Sequence, residues 1–568
     1  MTPPKNRVVL GLNAYSHDAA AALVVDGRLV FAAEEERFDR RKHSAAFPRL
    51  AIAAALAHAG LGPGDVDRVA FCWKRDMARV RKALYVLRRL PRSLPFLRER
   101  PEGLPPRLAY LRSIRGLGPD LAAIGITAPV AHVDHHLAHA VQAWRFGPAD
   151  EAVLVTADGM GEWTATATWR AGGDGLVRRN ERCYPQSLGK VYAAVTQHLG
   201  FRPDADEGKT MGLAPYGRPR LVPGFRKVLR SDPGRLYDID LGAFAYPLGH
   251  TRMAGAPFAR RFGPARGPEA PIEPAHEDLA FAAQAALEEV LVDIAKGLGG
   301  GPGAPHLGLA GGLFLNCAAN GRIAREAGFG SLFVFPAAGD AGAAAGAAAH
   351  VAGMARSELT HAFLGDAFDA TAIGAALEGR GARTVADPAA AAAEALARGK
   401  VVGWFQGRME FGPRALGGRS ILADPRDPLI KDRLNREVKF REGFRPFAPS
   451  VLEEKAADWF LSPCPSPFML LTFPVRPERR AEIPGVVHVD GSARVQTVGR
   501  QPEILPFRRL IEAFGARTGV PLVLNTSFNV RGEPIVRTPL DAVRCFDASG
   551  IDVLVLGNRM LGKTGPRE

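Results

Sequence analysis

Short apolar runs broken by polar turns open the chain. Val8 to Leu12, Ala20 to Val25 and Leu29 to Ala33 read as three strands, with His17 and Asp18 in the first connection and the hairpin pair Asp26-Gly27 in the second. The same order returns at Val153 to Thr156, the turn Asp158-Gly159-Met160-Gly161, Thr164 to Trp169, and Asp174-Gly175 before Leu176-Val177. Two copies of strand, polar turn, strand, Asp-Gly, strand predict an internal duplication. Helical periodicity fills the gaps at Ala51 to Ala59, Leu137 to Phe146 and Leu279 to Leu298, so the class is α/β. The pattern weakens between Ala352 and Asp387, and Val401-Val402-Gly403-Trp404-Phe405 opens a new series. The predicted organisation is a domain over 1–352, a linker over 353–380 and a smaller α/β domain over 381–568.

Composition narrows this picture. A chain of 568 residues exceeds one core, and 47% hydrophobic with 23% charged residues excludes a disordered chain. No apolar run reaches the roughly 20 residues that span a bilayer, and the opening residues lack a secretory apolar core, so a cytoplasmic protein is expected. The five cysteines are scattered without a CxxC pair, which fits reduced thiols. The net charge of +14 is uneven: Lys74 to Arg115 holds thirteen Lys/Arg against Asp76, Glu99 and Glu102. Interleaved leucines mark that stretch as an amphipathic helix with a solvated basic face, suited at most to an anionic or lipid-like partner. Nucleic acid is not an expected partner; a monomer or a homodimer fits equally.

Three groups of residues carry chemistry. In Val133-Asp134-His135-His136-Leu137-Ala138-His139, His135 and His139 stand four apart and share a helix face, so both imidazoles can reach one metal ion. A zinc protease would need Glu where His136 stands. Asp340, where a Gly-rich turn enters an Ala/Gly helix, is the candidate carboxylate ligand; its alternative role is a helix cap. Such a set suits Fe(II) or Zn(II), and spacing does not choose. Asp158, Gly159 and Gly161, with Gly311, Gly312 and Asn316, form Gly-rich turns after apolar strands, where backbone N–H groups can meet a nucleotide. Glu207-Gly208-Lys209-Thr210 is no P-loop, because Pro203 stands where its first glycine belongs. In the second domain, Arg408, Arg414 and Arg419 crowd a Gly-rich loop, followed by Lys439, Arg441 and Arg445, a density of cations that suits a small polyanion.

The segments LGLNAYSHDAAAALVVDG, FAAEEERFDRRKH, DHHLAHA, DEGKTMGLAPYG, LAGGLFLNCAANGRI and PAAGDAGAAAG resemble, in order, those of the antibiotic and nodulation-factor O-carbamoyltransferases. The resemblance implies an actin-like first domain, similar to the tRNA threonylcarbamoyl-transfer protein, and a second domain similar to the YrdC-like, threonylcarbamoyl-AMP-forming fold. It implies iron held by His135, His139 and Asp340, His17 as general base, and Lys42 near a nucleotide phosphate. It also implies that Arg414, Lys439, Arg445 and Arg494 bind carbamoyl phosphate and ATP (with Mg²⁺), with Thr526, Ser527 and Arg531 close by. The expected acceptor is a small-molecule alcohol, and Phe71 to Leu117 is expected to help shape its pocket. Threonylcarbamoylation of tRNA and a basic, nucleotide-regulated binding protein are the alternatives.

Overall fold

In the computed structural model, which describes residues 7–76, 78–94, 117–249, 251–300, 305–462 and 464–563, the opening apolar runs pair into one sheet. Its strands are β1 (Val8–Asn13), β2 (Ala20–Val25), β3 (Arg28–Glu34), β4 (Arg68–Phe71) and β5 (Val130–His132), in the order β3-β2-β1-β4-β5. β1 is antiparallel to β2, β2 to β3, and parallel pairing joins β1 to β4 and β4 to β5. Next come β6 (Ala152–Ala157), β7 (Thr164–Gly172) and β8 (Gly175–Cys183), a separate hairpin of β9 (Leu229–Asp232) and β10 (Leu236–Ile239), then β11 (His306–Ala310) and β12 (Leu332–Val334). The second sheet runs β8-β7-β6-β11-β12, with antiparallel pairs β6/β7 and β7/β8 and parallel pairs β6/β11 and β11/β12. Strand order and pairing sense are therefore the same in both sheets. The repeat read from the sequence corresponds to these two halves.

Small residues let one helix lie unusually close to its neighbours. Helix Asp340–Val351, DAGAAAGAAAHV, is buried along nearly its whole length. A Cβ placed on Gly11 of β1 would fall 2.0 Å from the Ala344 carbonyl oxygen, and one on Gly346 would fall 2.0 Å from that of Ala138 in helix His135–Arg145. Backbone thus touches backbone on both sides, which no larger side chain permits. The consequence is positional: Asp340 and His135, distant in sequence, begin helices that are in contact.

The chain divides into two units, Met1–Glu35 with His43–Leu359, and Glu36–Lys42 with Thr360–Glu568. The second unit is built on one nine-stranded sheet. Its strands are β13 (Arg383–Thr384), β14 (Val402–Phe405), β15 (Arg419–Ala423), β16 (Ala448–Leu452), β17 (Leu471–Pro474), β18 (Ser492–Val498), β19 (Leu522–Ser527), β20 (Val553–Leu556) and β21 (Arg559–Gly562). They lie in the order β13-β21-β20-β14-β15-β19-β16-β18-β17.

Two features differ from the sequence reading. The stretch 353–380 is not a free linker: Ser357 and Leu359 donate to the Arg145 and Phe146 carbonyls at 2.8 and 3.0 Å, whereas Phe363 bridges Glu410 and Ala370–Ala376 is a helix of the second unit. Glu36–Lys42 belongs to the second unit because its arginines bond there. Arg37 donates to the Gly412 carbonyl at 2.7 Å, and Arg40 to those of Ile535 and Pro534 at 2.7 and 2.9 Å. Among the described residues, no helix is long and apolar enough to cross a membrane.

The close contact at Gly346 can be checked directly. Gly346→Leu is expected to destabilise the protein by about 3 kcal/mol or more, because the new side chain meets backbone rather than a flexible neighbour. Thermal or urea unfolding measures this, and unchanged stability would contradict the packing.

Candidate metal centre and active site

Two histidines of helix His135–Arg145 face inward because Asp134 caps the helix, accepting from the Leu137 amide at 2.9 Å. The Nδ1–H of His135 donates to the Cys72 carbonyl at 3.2 Å, and that of His139 to Gln142 Oε1 at 3.1 Å. Gln142 is itself oriented by donating from Nε2 to the Ala337 carbonyl at 2.7 Å. With Nδ1 engaged as a donor on each ring, both Nε2 atoms present lone pairs. They point at each other across 3.2 Å.

Two carboxylates close the cluster. Asp158 Oδ2 lies 3.2 Å from His139 Nε2 and 3.5 Å from His135 Nε2, and Asp340 Oδ1 lies 3.4 Å from His135 Nε2. All four residues are buried, and their ligand atoms lie within 4.8 Å of one another. Asp340 is not the cap of its helix; Gly339 holds that position and Asp340 is the first helical residue. Opposed lone pairs and two buried carboxylates are unfavourable together unless positive charge sits among them. Burial opposes a charged His135, yet Asp340 and then Asp158 outweigh it and hold its pKa well above the ordinary imidazole value. Mixed nitrogen and oxygen donors, each oriented from behind, are what a divalent transition-metal ion requires. The cluster can hold such an ion.

His136, the middle histidine, has a different role. Its two ring nitrogens meet Thr156 Oγ1 and the Thr164 carbonyl at 2.8 and 2.9 Å, and burial, then the neighbouring histidines, push it down to about 3. It is a neutral core residue.

His17 stands beside the cluster in the β1–β2 connection. Asn13 holds that connection by donating to the His17 and Asp18 carbonyls at 3.1 and 3.0 Å, and its Oδ1 accepts from the Trp73 indole at 3.0 Å. The Trp73 ring in turn stacks on His135, centroids 4.0 Å apart. His17 Nδ1 bonds Asp18 Oδ2 at 3.0 Å, leaving Nε2 directed 3.9 Å from Asp340 Oδ2, with 38% of the side chain exposed. Burial pulls the His17 pKa down, but Asp340 and then Asp18 raise it well above the ordinary value. A substrate can reach this imidazole.

The Gly-rich turns converge on the same place. A Cβ on Gly312 would lie 3.2 Å from Asp158 Oδ1, one on Gly161 3.3 Å from His135 Cδ2, and one on Gly311 2.1 Å from the Ala157 carbonyl. Gly159 donates its amide to Asp158 Oδ1 at 2.6 Å. Asn316 has structural work: its Oδ1 caps helix Cys317–Glu326 and its amide exchanges hydrogen bonds with Gln284. Asp158, read from sequence as part of a nucleotide turn, is the fourth residue of the buried His/Asp cluster that could hold a metal ion. Its position at the end of β6, matching the end of β1, was the available signal.

The second unit gathers cations. A π-helical turn, Asn435–Lys439, leads to Phe440 at φ +47°, and Arg441, which follows, lies near Arg445 and Arg494. Burial, then Arg445 and Arg494, push the Arg441 guanidinium down to about 9. Lys439 donates to the Ser527 carbonyl and to Asn529 Oδ1, the latter at 2.8 Å, while burial and Arg441 lower its pKa well below the ordinary value. The buried Nε of Arg494 has no hydrogen-bond partner among the described residues. Thr526 and Ser527 end β19, and Arg531 donates to the Phe440 carbonyl at 3.4 Å. Lys42 lies in this unit, close enough to Lys439 to lower its pKa.

Two loop arginines are spent on structure. Arg419 stacks on Phe405 at 3.6 Å and donates to the Gln406, Gly407 and Gly418 carbonyls, and Arg408 donates to that of Gly365 at 2.9 Å. Buried Glu410 pins the loop by accepting from the Leu416, Gly418 and Arg419 amides. Arg414 is the third, half-buried on the same loop. Arg441, read in the sequence within the same run of cations as Lys439 and Arg445, lies close enough to Arg445 and Arg494 for them to lower its pKa.

Titration with a divalent transition metal is expected to load one ion and raise the melting temperature. Asp158→Asn and Gln142→Leu are each expected to weaken binding about 10- to 100-fold, the first by removing a donor charge and the second by releasing His139. Unaltered affinity in both would contradict the four-donor arrangement. A separate pH effect follows at Glu207, pushed from 4.5 up to about 7 by burial and then by Asp204. The folded form keeps a proton that the unfolded chain loses, so stability falls as pH rises through that window. Glu207→Gln is expected to gain in melting temperature relative to the native protein between about pH 5 and about pH 8; a constant offset contradicts this.

Comparison with known proteins matches a separate family model to each part of the chain. The carbamoyltransferase N-terminus model matches residues 8–349 and the carbamoyltransferase C-terminus model residues 393–563. The chain is 41% identical to an uncharacterized protein of Synechocystis, over 98% of this chain and 97% of that protein. It is 37% identical to nodulation protein NolNO of Sinorhizobium fredii, over 97% of this chain and 80% of that protein, and 33% identical to nodulation protein U of Rhizobium tropici, over 91% and 90%. HypF of T. kodakarensis matches at 14% identity and a TM-score of 0.30, over 62% of this chain and 48% of that one, too weak a likeness to support a fold argument. With a buried His/Asp cluster in the part matched by one model and an arginine cluster in the part matched by the other, the chain belongs to the carbamoyltransferase family and is a carbamoyltransferase.

Proposed function

We propose that the protein is an ATP-dependent O-carbamoyltransferase that makes a carbamoyl adenylate in its second unit and transfers the carbamoyl group to an alcohol in its first. The single observation that carries the transfer step is His17: a partly exposed imidazole, held at Nδ1 by Asp18 and presenting Nε2 beside the metal cluster. The first unit is read as the duplicated, actin-like domain and the second as YrdC-like, in line with the sequence resemblance.

In the second unit, carbamoyl phosphate loses phosphate to water and leaves carbamate. A carbamate oxygen then attacks the ATP α-phosphorus, and magnesium pyrophosphate departs. Arg441, Arg445, Arg494 and Lys439 are fixed cations that meet the charge developing on the phosphoryl oxygens; Arg414, Thr526, Ser527 and Arg531 are assigned to the same substrates. In the first unit the acceptor hydroxyl attacks the carbamoyl carbon, AMP leaves, and His17 Nε2 takes the hydroxyl proton. His17 can accept a proton only once the negative charge at Asp340 is compensated, because Asp340 otherwise keeps the imidazole protonated. His135, His139, Asp158 and Asp340 would hold Fe(II), or Zn(II), which when bound supplies positive charge beside the adenylate phosphate. Gly159, Gly161, Gly311 and Gly312 offer backbone near that phosphate. The acceptor is a small-molecule alcohol.

The two half-reactions are separable. His17→Ala is expected to lower carbamoyl transfer about 10²- to 10⁴-fold while leaving carbamoyl-phosphate-dependent pyrophosphate release intact. Arg441→Ala is expected to lower pyrophosphate release about 10²-fold or more. Pyrophosphate assays, with mass spectrometry of an alcohol library, read both. Equal loss of both activities in His17→Ala would contradict the assignment.

A further inference from the structure

Four of the eleven exposed large hydrophobic side chains among the described residues lie within one short stretch: Val80 at 73% exposure, Leu84 at 45%, Leu87 at 61% and Leu90 at 48%. The remaining seven are scattered, as is normal for a protein surface. Val80, Leu84 and Leu87 stand at i, i+4 and i+7 of helix Arg79–Leu87, and therefore on one face. The opposite face is anchored. Tyr85 and Val86 are buried; the Tyr85 hydroxyl donates to the Pro247 carbonyl at 2.8 Å and its ring meets Trp163 and Tyr184 edge-on at 5.5 and 5.8 Å. Ser93 is buried too, donating to the Val86 carbonyl at 2.7 Å. The outward face is thus held outward by specific inward contacts.

Charge identifies what this face fits. Arg81, Arg88, Arg89 and Arg92 are exposed around the aliphatic stripe, and no Asp or Glu occurs from Arg79 to Leu94. We propose that the aliphatic stripe Val80, Leu84, Leu87 and Leu90, with its arginine border, is a docking face for an anionic lipid surface. Aliphatic side chains enter the boundary between headgroups and acyl chains while guanidinium groups remain at phosphate level. A nucleic acid would engage the arginines and leave the leucines in water. A second copy in a two-fold contact would oppose the same arginines on both partners. The rest of the basic stretch, residues 95–116, lies outside the described residues.

The proposal is independent of the acceptor's identity and is tested on the full chain. Co-sedimentation uses phosphatidylcholine vesicles with and without about a third phosphatidylglycerol. Binding is expected to be about tenfold stronger to the anionic vesicles and to weaken with added salt. Leu84→Ser with Leu87→Ser, and separately Arg88→Ser with Arg92→Ser, are each expected to lower it about fivefold or more without shifting the melting temperature, since all four side chains are exposed. Absence of binding, equal binding to neutral vesicles, or unaltered binding by both variants overturns the proposal. So does affinity for an oligonucleotide duplex without affinity for vesicles, or a change in sedimentation coefficient showing that the variants break a dimer.

Discussion

Two imidazole lone pairs facing each other across 3.2 Å, bracketed by two buried carboxylates, form an arrangement that a folded chain sustains only by placing positive charge at its centre. Much of the first unit serves that requirement. Asp134 starts the helix that carries both histidines, Gln142 and the Cys72 carbonyl turn their rings, and Gly159 steadies Asp158. The Ala/Gly composition of helix Asp340–Val351 has the same purpose, since only small residues let its backbone reach β1 and the histidine helix. A side chain of ordinary size at Gly346 or Gly11 would move Asp340 away from His135. The geometry of the His/Asp cluster and core packing are in this sense one property of the first unit.

The second unit answers a different electrostatic demand. Burial, and then neighbouring positive charge, pushes Lys439 and Arg441 toward losing protons, the converse of the carboxylates gathered around His135 and His139. In the proposed reaction an anion entering among Arg441, Arg445 and Arg494 would relieve that strain, so binding energy and transition-state stabilisation would draw on the same groups. In the proposed transfer step His17 takes the proton of the attacking hydroxyl, and Asp18, bonded to Nδ1, leaves Nε2 available. On the proposed reading, one unit stabilises negative phosphoryl charge and the other positions a nucleophile beside a cation.

The sequence disclosed those parts of this arrangement that repeat or lie close together in the chain. Strand, turn, strand, Asp-Gly, strand occurs twice, and both sheets have the same order; His135 and His139 share a helix face because four residues make about one turn. Asp158 was visible as a turn residue, but its carboxylate direction depends on contacts made only in the folded chain. Arginine density misled in one respect. Arg408 and Arg419 look like anion ligands in sequence, yet carbonyl oxygens take up their donors, and nothing in a run of residues reveals which carbonyls will be near. The departure of Glu36–Lys42 to the second unit was hidden for the same reason, being decided by Arg37 and Arg40 finding partners hundreds of residues away. The basic stretch after Lys74 was read as a solvated amphipathic helix, and the structure shows a helix there whose exposed face is aliphatic as well as basic.

X-ray absorption at the edge of the bound metal tests the central claim most directly. The expected spectrum shows two imidazole nitrogens together with carboxylate oxygens in the first shell, with one imidazole fewer in His139→Ala. A first shell of oxygen alone, or one unaltered by that substitution, would contradict the claim that His135, His139, Asp158 and Asp340 share one ion.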